Sequence, residues 1–213
     1  MSRPKLPRKS TNIDMTAMCD VAFLLLSFFI LATEFKPAEA ITVTTPNSVS
    51  SQTAPMKEVV MVSITKDGKV FLNMDDPQMK RDVVSELNKR RTLGLSEAEI
   101  QLSGNVPFFG TPLASLKSAL AVPNDRYTDA AFPGIPAKDS TDNEMMDWMS
   151  AVTSVYMGKK MNLLLKGDMG SKYPAFKNVI AAFKKNDLLK FQMVTNPENV
   201  PTGTELFRTG KRE

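Results

Sequence analysis

Between Ile13 and Thr33 the chain reads IDMTAMCDVAFLLLSFFILAT, and this apolar run constrains the molecule more than any other feature. As a helix rising about 1.5 Å per residue it covers roughly 30 Å, the thickness of a hydrocarbon core. It is therefore read as a single membrane span. Arg3, Lys5, Arg8 and Lys9 precede it with no acid among them, whereas Glu34, Lys36 and Glu39 follow it. That asymmetry keeps the amino terminus in the cytoplasm and sends the rest of the chain to the far side. A cleaved signal peptide is the competing reading. The run is longer than a usual signal core and carries an aspartate, and Pro37 to Ala40 make a poor cleavage site.

Within the span, Asp20 lies roughly 4.5 Å along the axis from the middle, on the cytoplasmic side. An ionised carboxylate at such a depth costs about 2.5 to 3.5 kcal/mol. No Lys or Arg occurs between Lys9 and Lys36 to offset it. Asp20 is therefore the candidate group for taking up and releasing protons. At about 100° per residue, Thr16, Asp20, Ser27 and Glu34 fall within an arc of about 40°, with Leu24 and Leu31 near its edges. A polar stripe on an otherwise greasy helix requires protein or a file of water against it, which implies a partner. Alternatively, Asp20 lies near the headgroup boundary and helps seat the helix end, as Asp14 does; Thr16 and Ser27 are not needed for that. Cys19 is read as a small residue tolerated in lipid rather than as a redox or acylation site.

Asp14-Met15-Thr16-Ala17-Met18-Cys19-Asp20-Val21-Ala22-Phe23 and the leucines that follow resemble the signature of the ExbD/TolR family. In outline that signature is Asn or Asp, aliphatic, Thr, Pro, two apolar residues, Asp, Val or Leu, and a leucine-rich run. Ala17 stands where the family commonly has proline. Farther on, Asn162-Leu-Leu-Leu-Lys-Gly167-Asp168, Tyr173, a helical run and Phe191-Gln-Met-Val-Thr195 are similar to the family's closing strand, helix and strand. The resemblance implies a stator subunit in the inner membrane of a Gram-negative cell, its carboxyl-terminal domain in the periplasm. Two copies of the helix would sit within a polytopic partner of the ExbB/TolQ type. Protons passing through Asp20 would drive a periplasmic protein of the TonB or TolA type, and so transport across the outer membrane or its maintenance. One proton crossing 100 mV releases about 2.3 kcal/mol, comparable with the cost of ionising the aspartate, so the field can bias the step.

Residues 34–57, rich in Pro, Ser, Thr and Ala, read as an extended linker. Within it, Ile41-Thr42-Val43 alternates in the manner of a strand. The resemblance makes these three residues candidates for pairing with a partner, against the alternative of a passive tether. A folded domain is expected over 58–196. Its strands are Glu58 to Thr65, Val70 to Asn73, Met161 to Lys166 and Lys190 to Thr195. Asp67-Gly68 marks a hairpin between the first two. One helix starts at Asp76-Pro77, with Met79, Val83 and Leu87 on its apolar side. Another starts at Pro174, with Phe176, Val179, Ile180 and Phe183. The order ββα-insert-βαβ predicts an α+β fold, a mixed sheet with its helices on one face. Residues 97–160 form the insert. Thr141 to Glu144 is read as a capping box opening a helix whose stripe of Met145, Trp148, Met149, Val152, Val155 and Tyr156 ends at Gly158. That stripe is read as core packing, the stretch Val122 to Lys138 as a surface loop, and 197–213 as a tail.

Composition narrows the function. With no histidine, His-based catalysis and the common His metal sites are absent, and the one cysteine allows no internal disulfide. Mean hydropathy of −0.18 excludes a polytopic protein but leaves room for one span. The 27 basic residues are scattered among 23 acidic ones, which argues against nucleic acid as a partner. Asp67, Asp75, Asp76 and Asp168 show no pairing near a nucleophile or phosphate loop. Neither an enzyme nor a bound cofactor is expected, the proton being the coupling ion.

Overall fold

A computed structural model describes residues 15–32, 40–49, 53–55, 57–138, 143–200, 202 and 204. The chain divides into two compact units, Met1–Ala38 and Glu39–Glu213. In the first, α1 (Met15–Ala32) is a continuous helix of 18 residues with no buried residue. Its composition and length suit a membrane crossing.

The second unit is built on a four-stranded sheet. The chain passes through β1 (Asn47–Ser48), β2 (Val59–Ile64) and β3 (Val70–Met74), then α2 (Pro77–Arg91), α3 (Glu97–Ser103), α4 (Leu116–Leu120) and α5 (Glu144–Val155). It closes with β4 (Asn162–Gly167), α6 (Tyr173–Lys185), β5 (Gln192–Met193) and β6 (Asn196–Pro197). The main sheet has the order β3-β2-β4-β5, while β1 and β6 form a small parallel pair of their own. β2 and β3 are antiparallel, joined by the expected turn, where Gly68 takes φ 79° and its N–H reaches Thr65 O at 2.9 Å. β4 lies parallel to both β2 and β5. The mixed sheet and the helix starts at Asp76-Pro77 and Pro174 thus follow the sequence reading. Asp76 caps α2 by accepting the Gln78 N–H at 2.8 Å.

Register sorts the side chains by face. Val60, Val62 and Ile64 lie opposite Met74, Leu72 and Val70, and beside Leu163, Leu165 and Gly167. The apolar members of this face are buried in one core with Val83 and Leu87 of α2, Val179 and Phe183 of α6, and Met145, Trp148 and Met149 of α5. Helix α5 packs against both α2 and α6. It belongs to the segment read as an insert, yet it is part of the helical layer that covers the sheet, and its apolar stripe is core as expected. The sequence pattern could show that stripe but not its neighbours.

The segment before α5 closes the outer edge of β3. Leu72 and Phe109 exchange backbone hydrogen bonds at 2.8 and 2.7 Å, and the Ile135 N–H reaches Val70 O at 2.8 Å. An edge so occupied is not available to another strand. On the face away from the helices, Phe71, Phe108, Tyr127 and Phe132 stack largely edge to face, with Phe71 and Phe108 centroids 5.1 Å apart. Gly110 passes so close that a Cβ there would overlap the Phe71 ring. Part of the stretch read as a surface loop is therefore buried: Tyr127, Phe132 and Ile135 all lie in the core.

Two local expectations are corrected. The helix expected to open from a capping box at Thr141–Glu144 begins at Glu144 itself, behind Asn143, whose side chain makes no capping bond among the described residues. Glu144 accepts the Leu113 N–H at 2.7 Å, a tertiary bond across 31 positions. Thr141 lies outside the described residues. A capping box is present at Ser96–Glu99, where Ser96 N donates to Glu99 Oε2 at 2.8 Å and Glu99 N to Ser96 Oγ at 3.4 Å. The closing strand, read as Lys190 to Thr195, keeps ladder pairing only at Gln192–Met193. Beyond it the chain leaves the sheet so that Asn196 can bond the segment before β1.

Candidate functional site

The span places Thr16, Asp20 and Ser27 in one uninterrupted α-helix, so their spacing does align them on one side of α1. Asp20 is the sole charged residue between Met15 and Ala32. Ser27 donates its Oγ hydrogen to Leu24 O at 2.9 Å, which satisfies the hydroxyl within the helix. Ala17 is accommodated without a break in α1. Asp14 and Glu34, the other acids near the stripe, lie outside the described residues, as do the basic residues of the amino terminus.

Residues 40–48, read as part of a linker, belong to the second unit and form an extended strap across one end of its sheet. The strap is anchored at three places. First, the Thr42 N–H reaches Asp129 Oδ2 at 3.1 Å, and Asp129 N–H donates to Ala40 O at 3.1 Å. Next, the Thr44 N–H reaches Asp168 Oδ2 at 2.8 Å, while Thr44 O accepts the Met169 N–H at 2.9 Å. Last, Thr45 Oγ1 donates to Asn196 Oδ1 at 2.8 Å, Asn196 N–H to Pro46 O at 2.9 Å, and Glu198 N–H to Ser48 O at 2.8 Å. The strand-like alternation of Ile41-Thr42-Val43 has a visible effect: Ile41 and Val43 are half-buried, Thr42 and Thr44 exposed, and Thr45 buried.

Asp168 thus does more than make a turn. Oδ1 accepts the Gly170 N–H at 2.8 Å in a local turn while Oδ2 holds the strap. These bonds, first from Thr44 and then from Gly170, with Lys66 nearby, pull its pKa below the ordinary carboxylate value against a small opposing effect of burial. Tyr173 begins α6 and is 73% exposed. Asp129 carries no local signal of its role, since its partner lies 87 positions away. The loop that presents it is secured by Lys69, whose Nζ donates to the carbonyls of Asp129 and Phe132 at 3.2 and 3.0 Å.

Comparison with known proteins gives one finding of wide extent. The family model described as "Biopolymer transport protein ExbD/TolR" matches residues 7–198, which takes in the span, the strap and the whole sheet domain. No curated protein and no solved structure matches the chain. The match covers both stretches that carry the sequence resemblance, with the expanded segment between α2 and β4 lying inside it. The chain belongs to the ExbD/TolR family of biopolymer transport proteins.

Proposed function

We propose that this chain is the proton-handling subunit of an inner-membrane energy transducer, and that it uses the proton motive force to drive TonB-dependent transport across the outer membrane. One observation carries the reading: α1 holds a single acidic or basic side chain, Asp20, on the same helix side as Thr16 and Ser27, within an otherwise largely apolar span. Such a group is costly against lipid, so the helix works inside a polytopic partner of the ExbB/TolQ type, with a second copy of itself. A periplasmic protein of the TonB or TolA type receives the work. Ile41, Thr42 and Val43 are the proposed site for pairing with a partner, because that segment is already extended and presents alternate residues outward. Lipid surrounds the remaining face of α1, and nucleic acid has no part.

The test is uptake in cells that depend on this chain. Asp20→Asn is expected to abolish TonB-dependent uptake while abundance and assembly persist, with Asp20→Glu retaining part of it. Full uptake in the Asn variant contradicts the reading. Loss of outer-membrane integrity with uptake unchanged would instead select the TolR-like branch of the family.

A further inference from the structure

The end of the sheet opposite the strap carries a cleft of about 490 Å³, within the size range of small-ligand sites. Three chain segments converge there: the entry to β2, the passage from β3 into α2, and the turn from α5 to β4. They bring Glu58, Asp75 and Asp76 into one cleft with Lys57, Lys159 and Lys160. Among the described residues, none of these six forms an ion pair with another. Two of the carboxylates are held in place by the backbone. Asp75 Oδ1 accepts the Val59 N–H at 3.0 Å, and Asp76 Oδ1 accepts the Gln78 N–H at 2.8 Å. Neither can swing freely toward a lysine, so opposite charges face one cleft without neutralising each other.

Tyr156 contributes a second, independent feature. The residue is only 6% exposed, lines the same cleft, and its hydroxyl has no hydrogen-bond partner among the described residues. A buried hydroxyl without a partner is costly and uncommon in folded proteins. Burial, and then the charges of Asp75, Asp76 and Glu58, push its pKa up to about 12, which keeps the phenol protonated as a donor. Met79 supplies an apolar wall.

We propose that this cleft binds a zwitterion of about dipeptide size, its ammonium group among the carboxylates and its carboxylate among the lysines, with Tyr156 donating to it. A simple cation or anion would satisfy one set of charges and leave the other unpaired. A molecule with both, separated by a short spacer, answers the arrangement. The site is remote from the strap and makes no use of Asp20.

The experiment uses the full-length chain in detergent micelles with ¹³C-labelled methionine methyl groups, titrated with alanylalanine bearing free termini. The Met79 methyl resonance is expected to shift saturably, while Met169, at the strap end, stays fixed. The acetylated, amidated dipeptide is expected to leave Met79 unmoved. Glu58→Gln and Lys160→Gln, both at exposed positions, should each weaken binding at least tenfold, as should Tyr156→Phe. Absence of a saturable Met79 shift overturns the proposal. So does an equal response to the blocked dipeptide, or unchanged affinity in the Glu58 and Lys160 variants.

Discussion

Asp168 accepts the backbone N–H of Thr44 at 2.8 Å, across 124 positions of sequence. The carboxylate that follows β4 therefore holds the strap. Its other oxygen is engaged by Gly170, so the side chain is fixed before the strap arrives. Asp168→Asn keeps the shape but removes the charge and turns one acceptor into a donor. Hydrogen exchange at the Thr44 amide is expected to accelerate about tenfold, the equivalent of one lost charge-assisted hydrogen bond. Amides of β2 and β4 should keep their protection. If Thr44 exchanges at the wild-type rate in the variant, the carboxylate does not hold the strap.

The same contact carries a pH dependence. Because the bonds from Thr44 and Gly170 depress the Asp168 pKa in the folded state, its contribution is fully present above the ordinary carboxylate value. It is lost as pH falls through the lower, folded value. Thr44 protection should thus be flat from neutral pH down to the ordinary carboxylate range and drop only below it. A drop that begins near pH 6 would assign the strap to another group.

Gly110 tests whether the expanded segment is part of the core or an appendage. A Cβ at Gly110 overlaps the Phe71 ring of β3, whereas one at Gly167 of β4 meets nothing within 4 Å among the described residues. Gly110→Ala is expected to cost about 1 to 3 kcal/mol in denaturant unfolding, in line with overpacked cores. Gly167→Ala should fall within about 0.5 kcal/mol of wild type. Equal stability of the two variants would mean that the 106–137 stretch does not pack on the sheet as described.

These contacts also show which parts of the molecule are legible in the sequence. The hairpin at Asp67-Gly68 and the helix starts at Asp76-Pro77 and Pro174 are set by residues within a turn of one another, and local pattern reveals them. The stripe on α5 is equally visible, because burial of one face imposes its period on the chain. The pattern Ser or Thr, two residues, Glu occurs at both Ser96–Glu99 and Thr141–Glu144. The box forms at Ser96–Glu99, whereas α5 begins at Glu144, which puts Glu144 at the first helical position rather than the third. Glu144 also bonds the Leu113 N–H, a partner 31 positions away that local sequence does not reveal. The strap is hidden for the same reason: Asp129 and Asp168 meet it only after the sheet has assembled. In the candidate site, the spacing of Thr16, Asp20 and Ser27 depends on helix geometry alone and is readable, whereas the anchoring of Ile41 to Val43 depends on residues far along the chain.

We propose that protons pass through Asp20. The most direct test reconstitutes the full-length chain with its polytopic partner of the ExbB/TolQ type in sealed vesicles and records proton flux under an imposed potential. Asp20→Asn should reduce that flux to the level of vesicles containing the partner alone, with the complex still assembled. Undiminished flux through the assembled Asp20→Asn complex would contradict the account.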